Sequence, residues 1–190
     1  TGNAPWYLSL ATTSIAPDDT LSGVDRVEFN QNGAGWQTGT SVISNDGVNT
    51  IAMRVYDVAG NIVSGSMVVR VDTASPLITP SISGTSGSNG WLVSPGMVSA
   101  TVDEATSGVD GEVLVSFDGG STWRNIPISL NDGEYKMTFR AFDIGGNEGM
   151  ALMSASIDTT TPMLNFAYSG TPGTNGWYVS AVKVSTTASD

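Results

Sequence analysis

The chain contains no cysteine and no histidine. Without thiols there is no disulfide framework, no thiolate nucleophile and no Cys-based metal site, although the absence assigns no compartment. Without histidine, a Ser or Thr nucleophile would have to take Lys136, Lys183 or a carboxylate as its base. Charge is scarce as well: charged residues make up 13 % of the chain, about half the usual share. What charge exists is acidic, 18 Asp and Glu against 7 Lys and Arg, for a net −11. Such a surface repels phosphate backbones, so nucleic acid is excluded as a partner. No apolar run is long enough for a membrane-spanning helix. Initiator Met and signal peptide are also missing, and the chain is expected to be a piece of a longer polypeptide.

What the sequence does contain is a repeat. Arg54-Val-Tyr-Asp57-Val-Ala-Gly60-Asn61 returns 86 positions later as Arg140-Ala-Phe-Asp143-Ile-Gly-Gly146-Asn147. Asp72-Thr-Ala-Ser-Pro76 returns as Asp158-Thr-Thr-Thr-Pro162, and Ser22-Gly23-Val24 as Ser107-Gly108-Val109. Trp6-Tyr-Leu-Ser, Trp91-Leu-Val-Ser and Trp177-Tyr-Val-Ser are three versions of one segment. A fixed step of this kind marks tandem copies of one small domain. The expected boundaries are residues 1–71 (first copy, lacking its opening strand), 72–157 (complete) and 158–190 (first strands of a third).

Within the complete copy, apolar and polar residues alternate. Tyr135, Met137, Phe139 and Ala141 interleave with Glu134, Lys136, Thr138 and Arg140, the pattern of a half-buried strand. Pro76–Ser83 reads as an edge strand because of its prolines, and Asn131-Asp132-Gly133 as a tight turn. About seven short strands, regular turns and no helical period predict an all-β fold of tandem immunoglobulin-like sandwiches. Short Pro-bearing junctions predict a semi-rigid rod.

Four sets of residues carry possible chemistry. Asp57 with Asn61, and Asp143 with Asn147, have the oxygen donors of a calcium loop. The same spacing also suits a turn in which Asp accepts backbone N–H groups and Gly supplies positive φ; one local carboxylate per loop favours the turn. The acidic runs Asp18-Asp19 and Asp103-Glu104, with Asp25 and Asp110 nearby, form a second acidic candidate for calcium, against the plainer reading of a solvated loop. Trp6, Trp91 and Trp177, next to Gly/Asn loops, could stack on sugar rings or cover the end of the core, and their area favours the core. Ser116-Phe-Asp118-Gly-Gly120-Ser-Thr122-Trp123 fits the Asp-box pattern, which implies a hairpin turn held by Asp118. In the first copy that stretch has drifted to Asn30-Gln-Asn32-Gly-Ala-Gly35-Trp36.

Several of these features together resemble a known bacterial module: Asp158-Thr-Thr-Thr-Pro162 followed by Ser169-Gly-Thr-Pro-Gly-Thr-Asn-Gly-Trp177-Tyr-Val-Ser180, Ser107-Gly-Val109, the Asp118 turn with Trp123, and Arg140-Ala-Phe-Asp143 with Gly146-Asn147. They resemble the Ig-like modules of the OmpL47-type repeat family, and the resemblance runs along essentially the whole chain. Pro5 stands where a Gly usually precedes the Trp, and Asn32-Gly33 replaces the Asp-Gly-Gly turn. The resemblance implies a secreted or cell-surface protein of stalk, surface-layer, filament or adhesive character, without enzymatic activity. Its partners would be neighbouring Ig-like modules or other copies of the chain, with strand exchange one way to complete the third copy. The alternative it implies is a polysaccharide-binding or spacer module beside a carbohydrate-active enzyme. Calcium is the one cofactor with candidate ligands.

Overall fold

The structure, a computed structural model, describes residues 5–190 and consists of strands and loops. The chain divides into two compact units. One takes in the described residues up to Ser81 with Val98–Ile128 and Lys136–Met153; the other holds Ile82–Met97, Ser129–Tyr135 and Ser154–Asp190.

In the first unit, the first copy supplies β1 (Trp6–Tyr7), β2 (Ala11–Ser14), β3 (Val24–Gln31), β4 (Gln37–Thr38), β5 (Ser41–Ser44), β6 (Gly47–Asp57) and β7 (Ile62–Val71). They form a five-stranded sheet of order β1-β7-β6-β3-β4 and a two-stranded sheet β2-β5. Alternation turns Val27, Phe29, Ile51, Val69 and Val71 inward, and Ala11, Ile15 and Val42 pack against them from the other layer. Two sheets burying one face each against a shared core make a β-sandwich.

The second copy runs through β8 (Leu77–Ser83), β9 (Trp91–Leu92), β10 (Gly96–Asp103), β11 (Val109–Ser116), β12 (Arg124–Asn125), β13 (Ile128–Leu130), β14 (Gly133–Asp143) and β15 (Glu148–Ile157). Its sheets have the orders β13-β10-β8 and β12-β11-β14-β15-β9. Strand β8 lies at an edge, the position in a sheet that tolerates prolines such as Pro80. Along β14 the alternation read from sequence is realised, with Met137, Phe139 and Ala141 buried and Val115 of β11 opposite Phe139. Sandwich sheets of this kind in both copies, mainly antiparallel, are immunoglobulin-like. The second copy has eight strands rather than about seven. The two-residue strands β9 and β12 are too short for any alternation to announce them.

The second unit also carries β16 (Met163–Ser169) and β17 (Lys183–Ser189), paired antiparallel over seven residues. They match β8 and β10 of the previous copy. Their apolar side chains, Phe166 and Tyr168 among them, face solvent.

Candidate functional site

The loop between β6 and β7 and the loop between β14 and β15 are built alike. Asn61 N donates to Asp57 Oδ1 at 2.7 Å and Asn147 N to Asp143 Oδ1 at 2.8 Å. The Asn side-chain amides reach the other carboxylate oxygen, at 2.6 and 2.8 Å. Val58 N and Ile144 N donate back to Gly23 O and Gly108 O. Both Asp side chains therefore organise a turn. Their surroundings differ, because Asp57 is half-buried whereas Asp143 is 1 % exposed.

Around Asp143 the fold gathers acids that lie far apart in sequence. Asp72, Glu104 and Asp143 each place a carboxylate oxygen within 4.8 Å of those of the other two. Asp72 is fully buried, and its Oδ2 accepts no hydrogen bond among the described residues. Glu104 Oε1 accepts the Thr106 and Ser107 amides in its own turn. Two unit negative charges about 5 Å apart repel by roughly 3 kcal/mol at an effective dielectric of about 20. A buried carboxylate without partners is costly beyond that repulsion. Of the residues read from sequence, the structure brings Glu104 and Asp143 together, with Asn147 bound to Asp143. Asp103 and Asp110 are exposed and outside the group, as are Asp57 and Asn61. Asp72 was missed, since it reads as linker. Its recurrence as Asp158 is the signal that could have drawn notice.

Trp6 opens β1 and Trp91 opens β9, whereas Trp177 lies between β16 and β17, outside both strands. Strand β1 pairs in parallel with β7, Trp6 opposite Arg70 and Tyr7 opposite Val71. Asp72 N extends the ladder to Tyr7 O at 2.9 Å. In the second copy β9 pairs in parallel with β15, Trp91 opposite Ser156 and Leu92 opposite Ile157, and Asp158 N donates to Leu92 O at 2.9 Å. Trp6 and Trp91 are half-buried; Trp177, beside the exposed hairpin, is 77 % exposed.

At the Asp-box, Thr122 N and the Thr122 hydroxyl donate to the two oxygens of Asp118 at 2.8 and 2.6 Å. Ser116 Oγ donates to Asp118 and accepts from Gly120 N, and Gly120 has a φ of 97° that suits glycine. The Arg140 guanidinium lies 4.1 Å from the Trp123 ring centre, as Arg54 lies 3.9 Å from that of Trp36. Asn32 of the first copy instead bonds Thr50 N and Asn49. A turn can drift in this way and remain a turn. The groove beside it, about 380 Å³, is lined by amides and hydroxyls such as Gln31, Asn45, Asn49 and Ser41. Its Asp46 is already bonded to Thr73.

These bonds set an acid response. The Thr122 hydroxyl, then the Thr122 amide and Ser116, hold the Asp118 carboxyl well below the ordinary carboxylate range. Asp132 is lowered by the Thr159 hydroxyl and amide, and Asp57 by the Asn61 side chain. A pKa lower in the folded than in the unfolded state gives stabilisation that is complete above the unfolded value, 3.8 here. It is lost as pH falls through the folded value. The melting temperature is expected to hold down to about pH 5 and to drop below about pH 4. Asp118→Asn should flatten that acid limb in a melting series across pH; an unchanged limb would contradict this origin.

No family model matches the chain, and no curated protein matches it. Among solved structures it is similar to the fibronectin(III)-like modules of Clostridium thermocellum CbhA, at 15 % identity. That match covers 80 % of this chain and 86 % of the other, with a TM-score of 0.32, a likeness too loose to carry an argument. No helix among the described residues is long and apolar enough to cross a membrane.

Proposed function

We propose that the chain is part of a tension-bearing array of Ig-like modules of the OmpL47 type, a spacer or stalk in a secreted or cell-surface protein. The observation that carries this reading is the parallel pairing of the Trp strand with the last strand of its copy, β1 with β7 and β9 with β15. Pulling a copy by its two ends draws the early strand and the last strand in opposite directions along their common axis. In a parallel pair this loads the hydrogen bonds in shear, so that they must fail together rather than one at a time. Each copy also ties its linker back to a loop, Asp46 to Thr73 and Asp132 to Thr159. These features recur between copies, as a mechanical element should.

Binding of polysaccharide is the second reading, and exposed Trp177 beside Tyr178 favours it. The experiment that separates the two joins extension of single chains between end handles to retention on insoluble glycans. A spacer resists extension and gives way in discrete steps, and it passes glycans unretained. Retention abolished by Trp177→Ala, with no resistance to extension, would replace the spacer reading.

A further inference from the structure

We propose that Asp72, Glu104 and Asp143 bind one calcium ion. Three carboxylate oxygens spaced no more than 4.8 Å apart leave a point no more than about 2.8 Å from all three, close to calcium–oxygen bond lengths of roughly 2.3–2.6 Å. The oxygens are also unequally committed. Asp143 Oδ1 accepts Gly146 N and Asn147 N, and its Oδ2 accepts Asn147 Nδ2. Asp72 Oδ1 accepts Ala74 N, while its Oδ2 is buried with no hydrogen-bond partner among the described residues. A fully buried carboxyl oxygen without a partner, on a residue grouped with two further carboxylates, is an arrangement that a cation completes.

Gly145 supplies the room. Its φ is not positive, so backbone conformation does not demand glycine there. A Cβ at this position would stand 3.0 Å from Asp143 Oδ1 and 3.2 Å from Asp72 Oδ2, and so would crowd the space between the two acids. In the first copy the corresponding residue is Ala59, in a loop with the same hydrogen bonds. The donors are all oxygen, which selects a hard cation over zinc or copper. Three carboxylates from separated segments impose no octahedron. That suits calcium, with its longer bonds and variable geometry, better than magnesium with its tight octahedron.

The ion would sit where the chain passes from one copy to the next. Asp72 N is bonded to Tyr7 O, and Asp72 O accepts Asn147 Nδ2 at 3.1 Å, so this residue already joins the first copy's sheet to the second copy's loop. Calcium would fix the linker at its start. This site does not depend on the tension-bearing reading.

The test is calorimetric titration of calcium chloride into the chelator-treated 190-residue chain. One calcium per chain is expected, still bound in tenfold excess magnesium chloride. Asp72→Asn and Gly145→Ala are each expected to weaken it at least tenfold, and Asp103→Asn and Asp110→Asn to leave it unchanged. Gly145→Ala keeps all three carboxylates and decides the matter should Asp72→Asn fail to fold. Absence of calcium binding by the folded parent chain, or binding by Gly145→Ala as tight as the parent's, overturns the proposal. Displacement by equimolar magnesium overturns the choice of calcium.

Discussion

Replacing Phe139 by alanine is expected to destabilise the second copy by about 3–5 kcal/mol, the usual range for truncating a buried Phe. Phe139 is fully buried at the middle of β14, between Met137 and Ala141 on the inward face and opposite Val115 of β11. Its neighbours are themselves held in strand ladders, so the cavity left by the ring cannot collapse freely. For a domain of this size the loss corresponds to roughly 12–40 °C in melting temperature, from about 4–8 °C per kcal/mol. Small domains bury modest cores, so the second copy could lose its fold outright at ambient temperature. Leu152→Ala on β15 is the matching control. Leu152 is 80 % exposed, and its loss should stay within about 0.5 kcal/mol. Thermal melts of the two variants check both; equal effects would mean that the core has been misplaced.

The second large effect is expected at Gly149, where the reason is backbone and not side chain. Gly149 is buried on β15, and a Cβ there would stand 2.0 Å from the Pro76 carbonyl oxygen. No rotamer relieves that overlap, because the obstacle is main chain. Gly149→Ala must push the start of β8 away from β15, at about 3 kcal/mol, the upper end of ordinary overpacking penalties. Gly65 offers the contrast, since a Cβ there meets nothing within 4 Å. Gly65→Ala on β7 is expected to be neutral or slightly stabilising through the unfolded chain. Denaturant melts that rank the two alike would contradict the close approach.

Which parts of this were legible in the sequence depends on how far each feature reaches along the chain. The alternation of Met137, Phe139 and Ala141 is local, and so are the Pro80 edge strand and the Asp118 turn; each could be read from neighbouring residues. The repeat exposed the copies because it compares the chain with itself. The β1–β7 and β9–β15 pairs were not legible: two residues carry no period, and a parallel partner lies some 65 positions away (Trp6 to Arg70, Trp91 to Ser156). The carboxylate cluster was half legible. Glu104 and Asp143 stand out as acids near turns, whereas Asp72 looks like any linker acid until the fold buries it. Even the exchange of Ala59 for Gly145 between otherwise matching loops acquires meaning only once Asp72 is found beside it.

The modular, tension-bearing reading is tested most directly by extending single 190-residue chains between end handles. Separate unfolding steps are expected. Released length should approach about 3.5 Å per residue, or roughly 300 Å for the 86-residue copy and less for the first copy. Disrupting the β1–β7 ladder with Tyr7→Pro should lower the force of the first copy's step and leave the other unchanged. One cooperative step for the whole chain, or extension without any resistance, would contradict it.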